Sequence, residues 1–256
     1  LVTVNTNYKE AELEYLLSNS DSKALFICDG IKDIDCEKII YSVCPELKTS
    51  KPGELRNEKL PFLRYVVSLD NWYDGMYNWS QIPYFGVLIS NEEFNAIKHS
   101  IDPDDVVNMQ YTSGTTGFPK GVMLTHNNIV NNGKAIGDCM KFSSRDKLCI
   151  PVPFFHCFGM VLAIMAAVTH GAAMVPLLWY TPMKVMHAVE YEKCTAVHGV
   201  PTMFIRILEH RDFGRYDFSS LRTGIMAGSP CPVKVMRDVV DKMHMSEITI
   251  TYGQTE

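Results

Sequence analysis

Short apolar runs alternate with longer segments of helical periodicity along most of the chain. Residues 23–28 and 223–227 are two of the apolar runs, and residues 182–192 repeat apolar side chains at helical spacing. A strand, a helix and a second strand in succession favour a parallel sheet, because the helix carries the chain back across one face of the sheet. The sequence therefore predicts an α/β fold of layered, mostly parallel sheets with flanking helices.

A polar stretch at residues 142–147 separates two series of strands and helices. It predicts a boundary between two α/β subdomains, residues 1–141 and residues 142–256. The first subdomain contains a glycine-rich loop, residues 111–121.

Charge and cysteine content argue against several classes of protein. A net charge of -5 with scattered basic residues argues against nucleic acid as a partner, which requires clustered lysine and arginine. The longest apolar run, residues 157–168, is shorter than the roughly 20 residues of a membrane-spanning helix, so we expect no transmembrane segment. The eight cysteines contain no C-x-x-C pair, which predicts reduced thiols in a cytoplasmic protein rather than a zinc site.

The glycine-rich loop follows a predicted strand at residues 106–111 and reads YTSGTTGFPKG. Its three glycines allow tight turns that bring backbone N–H groups close to an anion. Four serine and threonine hydroxyls add donors, and Lys120 adds a positive charge. This composition predicts a loop that binds a polyphosphate.

The loop does not match the Walker A pattern G-x-x-x-x-G-K-[ST]. Counted from Gly114, the second glycine of that pattern would fall on Pro119. Gly121 follows Lys120, where the pattern has the Ser or Thr that binds magnesium. The sequence therefore argues against a P-loop nucleoside triphosphatase.

The segment YTSGTTGFPKGV instead resembles the phosphate-binding signature of the adenylate-forming superfamily of AMP-binding enzymes, which includes acyl-CoA synthetases, firefly luciferase and peptide-synthetase adenylation domains. Three further segments resemble motifs of this superfamily in the same order: PFFHCFGM at residues 153–160, MAGSP at residues 226–230 and YGQTE at residues 252–256. VPTMF at residues 200–204, taken with AGSP, looks most like the fatty acyl-CoA ligase branch. The resemblance covers nearly the whole chain.

The resemblance implies a role for each matched residue. Contacts to the outer phosphates of ATP are implied for Thr112, Ser113, Gly114, Thr115, Thr116, Gly117, Phe118, Pro119 and Lys120. Contacts to the adenine and the α-phosphate are implied for Gly228, Ser229, Pro230, Tyr252, Gly253, Gln254 and Thr255. Catalytic roles are implied for His156, near the substrate carboxylate, and for Thr255 and Glu256, with Glu256 as a ligand of Mg²⁺. Candidates for the wall of an acyl tunnel are Phe158, Gly159, Met160, Val200, Met203 and Met226.

The implied reaction uses ATP, Mg²⁺ and coenzyme A. A carboxylate, expected to be a medium- or long-chain fatty acid, attacks the α-phosphorus to give acyl-AMP and pyrophosphate, and coenzyme A then displaces AMP to form a thioester. Three alternatives stay open: an adenylating enzyme that loads a carrier protein, a luciferase-like oxidase, and a non-catalytic nucleotide-binding fragment.

Several parts of the superfamily have no counterpart in these residues. The ribose-binding T-G-D segment, the hinge arginine and the C-terminal domain with its adenylation lysine would all follow Glu256. The first residues, Leu1 to Val4, include no initiator Met and show no signal-peptide profile, so we expect residues of the parent protein before Leu1. We therefore expect an incomplete N-terminal domain of an acyl-CoA synthetase, which lacks its C-terminal domain and does not turn over alone.

Overall fold

The computed structural model describes residues 1–31, 33–112 and 117–256. The chain divides into two compact units, Leu1–Met123 and Leu124–Glu256. Both units are built of mostly parallel strands with helices against them, which confirms the predicted fold class. The boundary expected between residues 141 and 142 stays a prediction.

The first unit contains two three-stranded sheets and a short hairpin. Its described strands are β1 (Val2–Thr3), β2 (Ala24–Ile27), β3 (Gly30–Ile31), β4 (Ile34–Asp35), β5 (Tyr65–Ser68), β6 (Tyr77–Asn78), β7 (Val106–Thr112) and β8 (Lys120–Thr125). Its described helices are α1 (Glu10–Asn19), α2 (Cys36–Val43), α3 (Ile82–Gly86) and α4 (Asn91–Ser100). The sheet orders are β1-β7-β8 and β2-β5-β6, and β3 pairs with β4 in an antiparallel hairpin.

Helix α1 packs through one apolar face. Leu13, Leu16 and Leu17 recur at helical spacing and are buried in the same core cluster as Ile27 of β2 and Ile40 of α2. Burial of each such side chain stabilises the fold by about 1.5–3 kcal/mol. The polar face of α1 stays free to contact solvent and neighbouring loops.

The second unit is a single five-stranded parallel sheet with helices on both faces. Its strands are β9 (Lys147–Ile150), β10 (Ala173–Pro176), β11 (Ala196–Gly199), β12 (Thr223–Ala227) and β13 (Glu247–Thr251). Its helices are α5 (His126–Cys139), α6 (Cys157–Gly159), α7 (Ala166–His170), α8 (Pro182–Glu192), α9 (Pro201–Leu208) and α10 (Val233–Met243). A π-helix, Met160–Met165, joins α6 to α7. The strand order is β10-β9-β11-β12-β13.

The three central strands of this sheet, β9, β11 and β12, each supply side chains to two cores. Val197 and Met226 lie in the core formed with α8, α9 and α10. Their sequence neighbours Ala196 and Ile225 lie in the core formed with α6, the π-helix and α7. The division follows from the alternation of side chains along a strand.

Two local features differ from the sequence expectation. The apolar run of residues 157–168 does not form one continuous α-helix: α6, the π-helix and α7 follow one another there. The sequence predicted no strand after the glycine-rich loop, whereas residues 120–125 form β8, which becomes a strand through its pairing with β7. Among the described helices, none is both long and apolar enough to cross a membrane.

Candidate functional site

The glycine-rich loop leaves the carboxyl end of β7. Thr112 is the last residue of β7, and Lys120 is the first residue of β8. Four of the predicted phosphate contacts lie outside the described residues: Ser113, Gly114, Thr115 and Thr116.

Tyr15 of α1 holds the described end of the loop. Its ring stacks on Phe118 with centroids 5.5 Å apart, and its hydroxyl donates to the carbonyl of Pro119 at 3.0 Å. Gly117 has φ +109°, which residues with a side chain rarely adopt, and no heavy atom of the described residues would lie within 4 Å of a Cβ placed there. Lys120 is exposed and forms no ion pair with the part of the chain that the structure describes, so its ammonium is available to an anion.

Four matched segments leave the carboxyl edge of the sheet in the second unit. Residues 151–156 follow β9, Val200 follows β11, residues 228–230 follow β12 and residues 252–256 follow β13. The strand β10 lies on one side of β9 and the later strands lie on the other side, so the connections change direction between β9 and β11. The crevice outside such a switch point is where an open parallel sheet usually binds a ligand.

His156 caps helix α6 at this edge. Its Nδ1 accepts the backbone N–H of Phe158 at 3.1 Å. Because Nδ1 is an acceptor, the neutral imidazole carries its proton on Nε2. Partial burial lowers the pKa of His156 from its ordinary value of 6.5, so near neutral pH the residue is an uncharged hydrogen-bond donor.

Cys157 links the segment after β9 to the end of the chain. Its Sγ lies 3.6 Å from Nδ1 of His156 and 3.9 Å from Oγ1 of Thr255. Burial raises the pKa of the Cys157 thiol, so the sulfur is uncharged at neutral pH. The structure therefore brings together two predicted catalytic residues, His156 and Thr255, that belong to different motifs.

The turn after β12 lies close to the end of β11. Gly228 has φ +87°, and a Cβ at this position would lie 3.1 Å from Cγ1 of Val200. The thiol of Cys231 donates to the carbonyl of Met226 at 3.3 Å and closes the turn. Ser229 and Pro230 are exposed there, at the same edge as the segment after β13.

The segment after β13 has no regular secondary structure. Tyr252 is 93% exposed, Gly253, Gln254 and Glu256 are exposed, and Thr255 is half-buried. Among the described residues, no group of three or more His, Cys, Asp or Glu side chains could hold a metal ion. A metal at Glu256 would therefore take its other ligands from water or from a bound phosphate, which is the coordination that Mg²⁺ commonly adopts.

The residues expected to line an acyl tunnel are divided between the two cores. Phe158, Val200 and Met203 lie in or against the core beside α6 and α7. Met226 is fully buried in the opposite core, and its neighbour Ala227 faces the side of Phe158. Met226 therefore does not share a face with Phe158, Val200 and Met203, since adjacent residues of a strand point to opposite faces.

One buried histidine near this edge of the sheet, His198, was not predicted as a site residue, because no sequence motif contains it. His198 of β11 is fully buried, and its ring stacks on Phe158 with centroids 5.7 Å apart. Its Nε2–H donates to the carbonyl of Leu162 in the π-helix at 3.0 Å. A single histidine in an apolar strand looks like any other core residue by spacing, and only its contacts distinguish it.

The comparison with known proteins identifies one family along the whole chain. A family model described as AMP-binding enzyme matches residues 1–256. The protein YngI of Bacillus subtilis strain 168, itself assigned only provisionally as an acyl-CoA synthetase, is 53% identical over 100% of this chain and 47% of its own length. A mitochondrial medium-chain acyl-CoA ligase of Mus musculus is 38% identical over 100% of this chain and 43% of its own length. The chain therefore spans less than half the length of these two relatives.

Solved structures share the fold at low sequence identity. The luciferase-like enzyme of the nonluminescent mealworm Zophobas morio has a TM-score of 0.77 at 18% identity, over 100% of this chain and 54% of that one. The anthranilate CoA ligase AuaEII, solved in complex with anthranoyl-AMP, has a TM-score of 0.74 at 20% identity, over 98% of this chain and 45% of that one. At such identities the likeness extends to the fold alone.

Proposed function

Because this chain belongs to the AMP-binding enzyme family, we propose that it is the nucleotide-binding part of an acyl-CoA ligase. The named activities of the Bacillus and mouse relatives support this proposal. The observation that carries it is the contact between Cys157 and Thr255, since it joins the segment that resembles the acid side of the site to the segment that resembles the nucleotide side.

In this proposal the nucleotide is ATP. A solved relative of the same fold, MatB of Rhodopseudomonas palustris, has ATP bound. Lys120 and the backbone N–H groups of the glycine-rich loop contact the outer phosphates and stabilise the charge of the departing pyrophosphate without rearrangement. Tyr252, with its exposed ring, packs against the adenine, and residues 228–230 border it.

Glu256 holds Mg²⁺ in this proposal. The ion, when bound, neutralises charge on the phosphate oxygens. The single carboxylate of Glu256 suits an ion that keeps water and phosphate oxygens as its remaining ligands. Thr255 donates its hydroxyl to an oxygen of the α-phosphate.

His156 orients the acid. Its Nε2–H donates to one carboxylate oxygen, and the neutral ring adds no permanent charge that would weaken the nucleophile. The other oxygen bonds to the α-phosphorus while the bond to the β-phosphate oxygen breaks and pyrophosphate leaves. The sulfur of coenzyme A then loses its proton to solvent and bonds to the acyl carbon, while the bond from that carbon to the phosphate oxygen breaks and AMP leaves.

We further propose that the acid is a medium-chain fatty acid. The name of the mouse relative and the apolar side chains of Phe158, Val200 and Met203 beside the crevice support this substrate class. An alkyl chain gains free energy in proportion to the apolar area that it buries there.

Acid-dependent release of pyrophosphate tests the proposal. The complete protein that contains this chain would be given MgATP with fatty, aryl or amino acids, with and without coenzyme A. We expect medium-chain fatty acids to react best and a thioester to form only with coenzyme A. Preference for aryl or amino acids would overturn the substrate class, and transfer only to a carrier protein would overturn the ligase assignment.

A further inference from the structure

His198 is a polar residue inside an otherwise apolar core. It lies on β11 at the switch point of the sheet and is fully buried. Its Nε2–H reaches the carbonyl of Leu162, whereas its Nδ1 has no hydrogen-bond partner among the residues that the structure describes. An unpaired buried acceptor destabilises a fold, so packing alone would favour an apolar side chain at this position.

The carbonyl bound by His198 belongs to the π-helix Met160–Met165. Helical carbonyls usually find their partners along the helix, and π-helical turns are rare and frequently occur at functional sites. A side-chain donor that reaches in from β11 fixes this wide turn to the sheet. Burial lowers the pKa of His198 to about 4, so the ring is neutral at neutral pH and keeps the Nε2 proton that it donates.

The same imidazole is connected to His156 by direct contacts. It stacks on Phe158 at an interplanar angle of 27°. The backbone N–H of Phe158 in turn donates to Nδ1 of His156. His198 therefore touches both the residue that sets the tautomer of His156 and the turn that follows it.

We propose that His198 is a positioning residue for the acid substrate, because it holds Phe158 and the π-helix in the arrangement that aims Nε2–H of His156 into the crevice. This inference rests on the proposed acyl-CoA ligase function. The ring contact and the hydrogen bond of His198 go to Phe158 and Leu162, which lie beside and after His156 in the chain. The effect of His198 therefore falls on the acid and not on ATP.

Two substitutions separate this role from packing. His198→Gln keeps an amide donor near the position of Nε2, and His198→Leu fills similar space without a donor. In the complete protein, we expect His198→Leu to raise the KM for the fatty acid about tenfold, the effect of losing one buried hydrogen bond, with the KM for ATP unchanged. We expect His198→Gln to stay close to the wild type. His187→Leu, on the exposed side of α8, is the matched control.

Stability and the tautomer of His156 give readouts that do not need turnover. The melting temperature of His198→Leu should stay close to that of the wild type, because removal of the unpaired Nδ1 offsets loss of the bond to the carbonyl of Leu162. Nitrogen-15 NMR of the imidazole should show the Nε2–H tautomer of His156 in the wild type and a mixture in His198→Leu. If His198→Leu does not fold, Phe158→Leu removes the stacking contact, and the tautomer of His156 in that variant, measured by the same NMR experiment, decides the question in its place.

The outcomes distinguish this inference from the proposed function. The positioning role would be overturned by an unchanged KM for the acid in His198→Leu or by an equal rise in the KM values for the acid and for ATP. It would also be overturned if the KM for the acid in His198→Gln were as high as in His198→Leu. A wild-type protein that releases no pyrophosphate with any acid would overturn the proposed function instead. The NMR comparison would still decide whether His198 sets the tautomer of His156.

Discussion

Sγ of Cys157 lies 3.9 Å from Oγ1 of Thr255, and this contact joins two segments that leave strands far apart in the sheet. Cys157 comes after β9 and Thr255 after β13, and both β11 and β12 lie between these strands. The segments meet by reaching across the carboxyl ends of the intervening strands. The side chain at position 157 lies between the two segments, where the small thiol of Cys157 fits.

We expect Cys157→Leu to lower kcat/KM for ATP about tenfold, because the larger side chain displaces Thr255 and a small misplacement of a positioned group is costly. Cys157→Ala removes only weak sulfur contacts and should stay within about twofold of the wild type. Initial rates of pyrophosphate release measure both. An equal loss of kcat/KM in the two variants would show that the contacts of the sulfur matter, rather than the size of the side chain at position 157.

The lowered pKa of His156 predicts where activity declines in acid. Protonation places a hydrogen on Nδ1, where the N–H of Phe158 now donates, so the orientation of the ring is lost on protonation. The decline in kcat/KM for the acid should therefore have its midpoint below pH 6.5. His156→Gln retains an amide donor but does not titrate, and its profile should be flat through the same range. A decline that persists in His156→Gln would assign the titration to another group.

The sequence predicted most elements of the second unit because their periodicity is strong. The structure has a helix at Pro182–Glu192 and a strand at Thr223–Ala227, the segments that show helical spacing and an apolar run in the sequence. Strand β8 escaped prediction because its strand character depends on a partner distant in sequence. The π-helix escaped because its apolar run has no feature that distinguishes it from an α-helix.

Some features of the candidate site could be predicted from the sequence, and others depend on how the strands are arranged. His156, Thr255 and Glu256 were assigned from motifs, and their roles stay predictions. The contact of Cys157 with Thr255 and the bond from His198 to Leu162 depend on which strand ends lie together. The position of Met226 depends on the register of β12 relative to the two cores, which spacing in the sequence did not define.

Gly117 offers a test of the glycine-rich loop. Because Gly117 has φ +109°, Gly117→Ala would strain the backbone, and among the described residues no heavy atom lies within 4 Å of the added Cβ. Such strain costs about 1–3 kcal/mol, so we expect the Kd for MgATP to rise about fivefold or more, because the loop no longer holds its conformation without cost. Gly214→Ala is the matched control, since Gly214 has equally open surroundings and no positive φ. Calorimetric titration measures the Kd for MgATP of both variants. An equal Kd in Gly117→Ala and Gly214→Ala would show that the conformation of Gly117 does not contribute to nucleotide binding.

Arg222 holds a buried carboxylate at the amino edge of the sheet, opposite the candidate site. Its guanidinium lies 2.9 Å from Oδ1 of Asp146 and 2.7 Å from Oε2 of Glu247. Arg222→Leu leaves the Asp146 carboxylate buried without its charged partner, which should lower the free energy of unfolding by about 3 kcal/mol. Lys134→Leu breaks an exposed pair with Asp138 and should cost less than about 0.5 kcal/mol in the same urea titration.

The Asp146 carboxyl also predicts how stability depends on pH. Burial would raise its pKa, but hydrogen bonds from Arg222, Thr195 and Ser143 outweigh burial and hold the pKa below the ordinary 3.8. A carboxyl with a lowered pKa in the folded state stabilises the fold above pH 3.8, and this contribution is lost as the pH falls through the lowered value. Asp146→Asn should therefore have a lower free energy of unfolding than the wild type at pH 7. The difference between the two should become smaller as the pH falls below about 4. Urea unfolding at a series of pH values measures this, and a constant difference would show that the charge of Asp146 does not stabilise the fold.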